Sequence, residues 1–189
     1  YSQSKSFGLT NDDVRLAVDT AVVASKDVYS NTRIGEKPIS VASLAAQRLL
    51  NFHLPKDARI LMIGAGQTNM LVSKFLTKYQ FTNVTISNRS IEKAKELADT
   101  LNGKAISLED LTTYRAGFDC IIVCTGATNP IITEELYRSL LAEETDKKLV
   151  IDLSIPNNVD KTFLPAYNVE YVEVEDIRAM AKMNLSFRQ

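Results

Sequence analysis

The 189-residue chain has a single histidine, His53, two cysteines, Cys120 and Cys124, and no tryptophan. From so few such residues neither a Cys/His nucleophilic pair nor a metal-ligand cluster can be assembled. Both cysteines lie in the apolar run Phe118-Asp-Cys-Ile-Ile-Val-Cys124. In a strand that spacing sets them on one side, too far apart for a disulfide, and they read as buried small hydrophobes of a reducing cytoplasm. His53, beside Leu54-Pro55, reads as a surface histidine at a helix end. No run of about 18 apolar residues is present to cross a membrane, and no leader peptide is visible. A net charge of -1 argues against a broad nucleic-acid face, because such a face needs clustered positive charge. The first residue is Tyr1 rather than methionine, so the chain is read as part of a longer one.

What the chain does have is the composition of an ordinary globular protein, 45% apolar and 24% charged, which argues against disorder. It also has one telling turn. Arg59-Ile-Leu-Met-Ile-Gly-Ala-Gly-Gln-Thr-Asn69 leads a short apolar strand into Gly64-x-Gly66. A helix follows, with Met70, Leu71, Phe75 and Leu76 at helical spacing. This is the pattern of the first βα turn of a dinucleotide-binding fold. The first glycine permits the tight turn and the second lets backbone approach a pyrophosphate. The helix N-terminus then offers unpaired N–H groups and a positive dipole end. Asn69 stands at the third glycine position, so helix and strand should approach less closely there.

Around this turn the pattern alternates. Strands are expected at Ile60–Ile63, Val84–Ser87, Lys104–Ile106, Cys120–Cys124, Leu149–Leu153 and Val169–Val172. Helices are expected at Thr68–Tyr79, Ser90–Leu101, Leu108–Tyr114, Thr133–Leu141 and Val174–Leu185. Ahead of them lies a helix over 11–30, opened by Thr10-x-x-Asp13 as a capping box and carrying Val14, Ala17, Val18, Ala21, Val22 and Val28 at helical spacing. A Gly/Pro loop at 31–38 and a helix from Ser40 to Phe52 complete the lead-in. The predicted fold is α/β: a doubly wound, mostly parallel, Rossmann-like sheet preceded by two helices.

Two further strand ends carry candidate site residues. An NAD-binding unit places an Asp or Glu roughly 20 residues past the glycines, on the adenosine ribose. Here Ser87-Asn88-Arg89-Ser90 offers no carboxylate but a guanidinium, with Lys93 one turn on. Arg grips phosphate with a fork of donors, which points to the 2′-phosphate of NADP; Ser90 reads as a helix N-cap as well. At the fourth strand, Thr125-Gly126-Ala127 should face the cofactor's ribose or nicotinamide, Gly126 admitting close approach and Thr125 donating a hydrogen bond. The candidate cofactor-binding residues are therefore Gly64, Ala65, Gly66, Gln67, Thr68 and Asn69, then Ser87, Asn88, Arg89 and Lys93, then Thr125, Gly126 and Ala127. Asp152, in Val150-Ile-Asp152-Leu-Ser-Ile-Pro156, has no identifiable partner base and reads as a carboxylate orienting nearby loop. No catalytic or metal-binding residue is assigned.

In their order these pieces resemble glutamyl-tRNA reductase, the NADPH-dependent first committed enzyme of the five-carbon route to tetrapyrroles, hence of porphyrin biosynthesis. The matching segments are Thr32–Ser43, Leu61–Thr68, Ser87–Ser90, Thr125–Thr133 and Ile151–Pro156, and the likeness spans nearly all of 11–189. Ser87–Ser90 is shared with shikimate dehydrogenases. The resemblance implies a cytoplasmic oxidoreductase in which a cysteine thiolate attacks glutamyl-tRNA and the thioester takes hydride from NADPH, giving glutamate-1-semialdehyde. That cysteine belongs to a preceding catalytic domain and has no counterpart here. The resemblance thus divides the chain into 1–37, a lead-in helix left from that domain, 38–176, an NADP-binding Rossmann domain, and 177–189, the start of a spinal, dimerising helix. It implies that these residues alone hold NADPH but reduce nothing, bind little or no nucleic acid, and belong to a homodimer when whole. Asn157 departs from the family, which often has Arg after this proline. A shikimate-dehydrogenase-like oxidoreductase and a noncatalytic NADP-binding module are the alternatives. Against the first, only 58 residues precede the strand that carries the glycines, too few for that family's substrate domain.

Overall fold

The structure, a computed structural model, describes residues 11–31, 40–177 and 179. Contacts divide the chain into two units, one containing the first helix and the other spanning Ile39–Met183. In the first unit, α1 (Asp12–Asn31) begins at Asn11, whose side chain accepts from the Val14 N–H at 3.0 Å. Asn11 is thus the cap; the capping role read for Thr10 lies outside the described residues, as do the expected 31–38 loop beyond Asn31 and most of the Thr32–Ser43 segment. Leu16 and Val23 of α1 are exposed, and Val14, Val22 and Val28 nearly half so.

The second unit opens with α2 (Val41–Asn51), capped by the Ser40 side chain. Six strands follow: β1 (Ile60–Ile63), β2 (Val84–Asn88), β3 (Lys104–Ser107), β4 (Cys120–Val123), β5 (Lys148–Asp152) and β6 (Val169–Glu173). The helices between them are α3 (Gln67–Lys78), α4 (Ile91–Asp99) and α5 (Glu134–Leu141). All strands run parallel, in the order β3-β2-β1-β4-β5-β6. The predicted α/β doubly wound sheet is thus the observed one, in the six-strand order of dinucleotide-binding domains. Past β6, residues 174–177 are helical; the remainder of the helix expected to Leu185 is, apart from residue 179, outside the described residues.

One expected helix is not formed. Leu108–Tyr114 makes only a 3-10 turn, Glu109–Thr112. Polar side chains divert its backbone: Asp110 accepts from the Ser107 N–H at 3.1 Å and hydroxyl at 2.7 Å. The Thr112 and Thr113 hydroxyls donate back to the carbonyls of Glu109 and Asp110, a local alternative to helix hydrogen bonding.

Alternate strand residues enter two cores, one on each face. Ile60, Met62, Cys120, Ile122, Leu149 and Ile151 pack with Leu44 and Leu49 of α2 and Val72 and Leu76 of α3. Leu61, Ile63, Ile121, Val123 and Val150 pack with Tyr137 and Leu140 of α5, and with Phe118 and Phe163. Burial on both faces is why these strands read as unbroken apolar runs. Cys120 is fully buried in the first core, and burial pushes its thiol well above the ordinary range. Both cysteines are free thiols, and His53 is exposed just past α2.

At the amino ends of the strands, the Arg59 guanidinium grips Asp119 (2.6 Å) and Glu144 (2.6 Å). The Lys148 ammonium, fully buried, pairs with Glu144 and with Asp146 at 2.9 Å. The trio Asp119, Glu144 and Asp146 gathers its carboxylates closely enough to hold an ion, but Arg59 and Lys148 already supply its positive charge. This network closes the floor of the sheet and leaves the carboxyl ends for the site.

Candidate functional site

Strand order reverses between β1 and β4, so the connections leaving them diverge and open a crevice at their carboxyl ends, where ligands bind in doubly wound sheets. A cleft of about 480 Å³ lies there. The sequence places glycines where its walls come closest. Gly64, at φ +100°, donates to the Ser87 carbonyl at 2.7 Å. A methyl added to it would lie 2.2 Å from the Cys124 carbonyl oxygen, so only glycine lets β1 turn this tightly beneath β4. Gly66 is the N-cap of α3, in extended backbone, and no side chain caps the helix there. The first amides of α3 therefore remain open to the cleft, with the positive end of the helix dipole behind them. A methyl added to Gly66, or to Gly126 across the cleft, would meet nothing within 4 Å. The space those missing side chains leave is a cradle for a group brought close to backbone.

Eleven of the thirteen candidate residues line this cleft; Asn69 and Ser87 do not. Asn69 is fully buried and its Nδ2 donates to the carbonyls of Ile63 at 3.0 Å and Gly64 at 2.8 Å. At the third glycine position, then, the side chain reaches back and braces the turn from behind. Ser87 is equally buried and donates to the Ser107 carbonyl at 3.2 Å. It joins β2 to β3 and lies outside the cleft lining.

On the β2 side, Asn88 bridges the two loops. Its Oδ1 accepts from the Ala65 N–H at 3.3 Å and its Nδ2 donates to the Ser90 carbonyl at 3.0 Å. Ser90 caps α4, accepting from the Lys93 N–H at 3.3 Å and donating its hydroxyl proton to Glu92 at 2.8 Å. A hydrogen bond from Glu92's own backbone, and then that from Ser90, hold the Glu92 carboxyl below its usual range. Arg89 and Lys93 line the cleft and are exposed, with no ion pair among the described residues. Among the described residues, none that lines the cleft carries a carboxylate. The cleft therefore presents two cations and a helix N-terminus, a setting for an anion.

On the β4 side, the sequence assigned Thr125 as a donor to a ligand. The structure corrects this: the Thr125 hydroxyl donates to Asn158 Oδ1 at 2.5 Å and accepts from the Ala127 N–H at 3.1 Å. Its proton is spent inside the protein, leaving backbone as the surface offered there. Cys124, Leu108 and Ile131, none of them assigned from the sequence, also line the cleft. Burial raises the Cys124 thiol above its ordinary value, so it is a neutral wall rather than a ready nucleophile.

Behind that wall, Asp152 is fully buried. Its carboxylate accepts from the backbone N–H groups of Ser154 (3.0 Å), Asn158 (2.7 Å) and Val159 (3.0 Å). It organises the loop after β5, as its sequence context suggested, and the Tyr171 hydroxyl adds a long contact at 3.4 Å. Asn157 donates to Tyr171 at 2.8 Å and Glu173 at 2.7 Å, an internal use of that position.

Strand order, glycine turn and an uncapped helix at the switch point define a dinucleotide-binding α/β domain. Residues 43–180 match the family model described as shikimate / quinate 5-dehydrogenase, and the chain belongs to that family. Its likeness to glutamyl-tRNA reductases runs over the whole chain. It is 30% identical over 190 residues to the Methanosarcina mazei glutamyl-tRNA reductase, covering 100% of this chain and 42% of that protein. The solved glutamyl-tRNA reductase of Methanopyrus kandleri superposes with a TM-score of 0.72 at 28% identity, covering 100% of this chain and 48% of that one. A shikimate dehydrogenase solved in complex with NADP+ superposes with a TM-score of 0.54 at 25% identity, over 78% of this chain and 54% of that one. The chain thus spans less than half the length of these two glutamyl-tRNA reductases. The fold and these relatives support a dinucleotide cofactor.

Proposed function

We propose that this chain is the NADPH-holding part of a glutamyl-tRNA reductase, with residues 38–176 as the nucleotide domain, 1–37 as its lead-in and 177–189 as the start of a dimerising helix. The observation that carries the reading is the paired absence and presence at the end of β2: among the described residues no carboxylate lines the cleft, while Arg89 and Lys93 do. An NAD-type site would set an acid against the ribose hydroxyls there. Two cations without an ion-pair partner among the described residues instead suit a ribose 2′-phosphate, with the guanidinium supplying forked donors.

The other contacts follow from the cradle. The open amides at the start of α3 and the bare Gly66 backbone suit a pyrophosphate, and the Gly126 backbone suits the far ribose and nicotinamide. Bound there, NADPH would supply a hydride to a substrate carbonyl. This chain's residues would hold and orient it; neither cysteine is set to attack an ester, Cys120 being sealed in the core and Cys124 kept neutral. Glutamyl-tRNA as substrate, a homodimeric whole and a cytoplasmic setting belong to the same reading. With a net charge of -1, these residues add little electrostatic pull on tRNA. No described helix is long and apolar enough to cross a membrane.

Titration of NADPH and NADH into the wild-type chain and Arg89→Ala tests the assignment. Wild type should prefer NADPH, and Arg89→Ala should lose about tenfold to a hundredfold in NADPH affinity, the worth of a charged hydrogen bond, with NADH unmoved. A preference for NADPH that survives the substitution would sink the reading.

A further inference from the structure

Asn158 is fully buried, in a loop that does not itself line the cleft, and each of its polar groups is committed to another segment. Its N–H donates to Asp152 at 2.7 Å. Its carbonyl accepts from the N–H groups of Ile131 (2.8 Å) and Ile132 (2.9 Å), where the β4–α5 connection returns. Its Oδ1 takes the Thr125 hydroxyl proton and its Nδ2 donates to the Ala127 carbonyl at 3.0 Å. The amide's orientation follows from its partners, since the Ala127 carbonyl requires a donor. Ser154, whose N–H is also held by Asp152, supplies its hydroxyl oxygen to the Thr125 N–H at 3.3 Å. One buried carboxylate thus fixes two side chains, and those two fix both ends of Thr125.

Thr125 matters because it stands against the glycine turn. Its methyl would lie 3.2 Å from a side chain added at Gly64, so the position of the wall Thr125–Ala127 sets the spacing between it and the glycine turn. Among the described residues, the Asn158 and Ser154 bonds are the ones that tie its polar groups to the loop after β5. From this arrangement, and resting on the NADPH reading given above, we propose that Asn158 is a positioning residue. It holds the Thr125–Ala127 backbone at the spacing that grips the nicotinamide half of the dinucleotide, while the β2 side grips the adenosine half independently. Asp152 acts one step further back, setting the loop that carries Asn158.

Calorimetric titration of the chain with NADPH and with adenosine 2′,5′-bisphosphate, which mimics the adenosine half alone, separates positioning from general support. Asn158→Ala should bind NADPH about tenfold more weakly, the equivalent of one displaced hydrogen-bonded contact, and bind the bisphosphate as wild type does. Should Asn158→Ala fail to fold, Thr125→Val removes the hydroxyl's bonds to Asn158 and to the Ala127 N–H, leaves Asn158 in place, and is expected to show the same split. Equal losses for both ligands would make Asn158 a plain fold-holding residue and overturn the proposal. Unchanged NADPH binding by either folded variant would overturn it too. Wild type binding neither ligand would overturn the cofactor reading itself, and this proposal with it.

Discussion

Gly64 and Gly66 stand two residues apart in one turn, yet the structure gives them opposite consequences when each gains a methyl. At Gly64 the backbone lies at φ +100° and the new Cβ would sit 2.2 Å from the Cys124 carbonyl oxygen. A non-glycine residue forced into such backbone costs about 1–3 kcal/mol. Overfilling a packed site adds about 1–3 kcal/mol more, and backbone, unlike a flexible side-chain end, yields little. The loss should reach about 2–6 kcal/mol, or a fall in Tm of about 4–24 °C for a domain of this size. At Gly66 the backbone is extended and the added methyl meets nothing within 4 Å. Gly66→Ala should therefore change stability by no more than about 1 kcal/mol, the difference between these residues at an N-cap. Its cost should appear only when the cleft is filled: NADPH affinity should fall tenfold or more, about 1.4 kcal/mol or above, because the methyl takes the space of the pyrophosphate. Thermal unfolding and NADPH fluorescence titration on the two variants read the contrast. If Gly64→Ala melts with wild type, or Gly66→Ala binds NADPH as tightly as wild type, the reasoning from the cradle fails.

The floor network predicts an acid limb in stability. Hydrogen bonds from Arg59, then burial working against them and the bond from Lys148, leave the Glu144 carboxyl at about 2 rather than its ordinary 4.5. A carboxyl lowered in the folded state stabilises fully above pH 4.5, and the contribution is lost as pH falls from there through about 2. Solvent screening at this partly exposed pair holds it to about 1–2 kcal/mol. Urea unfolding at stepped pH should show that limb in wild type and a smaller one in Glu144→Gln; identical limbs would refute it. In the second core, the Tyr137 hydroxyl is buried with no hydrogen-bond partner among the described residues. Tyr137→Phe removes an unsatisfied polar group and should leave Tm equal or raised by the equivalent of about 1 kcal/mol; a clear fall in Tm would show that the hydroxyl has a partner.

Much of this was legible because the strands are short, apolar and buried on both faces, so their runs stand out without tertiary information. Six strands and the Gly64 turn were found from pattern alone, within a residue or so at each end. The 109–112 turn reads as helix in sequence because its apolar spacing imitates one, while the Ser107–Asp110 bonds that stop it depend on geometry. Adjacency alone puts Asn69 and Ser87 among the ligand-facing residues. A neighbour in sequence can face the opposite side of a strand or helix, and both side chains in fact turn inward to hold backbone. Asn158 went unmarked since nothing local distinguishes it from Asn157. The only available hint was a polar residue just after a strand end that opens on the crevice.

By itself, then, the sequence determined the layered α/β fold, the site of the glycine turn and the basic character at the end of β2, because backbone freedom, apolar periodicity and charge are written residue by residue. Only the tertiary structure decided which polar groups remain available to a ligand. Thr125, Asn88 and Ser90 are all hydrogen-bonding residues by type, but packing joins Thr125 to Asn158, Asn88 to Ala65 and Ser90 to Glu92. What is left facing the cleft is two cations, the start of α3 and bare glycine backbone. A side chain's chemistry is fixed by its type; whether its proton or lone pair is free depends on neighbours that only folding brings together.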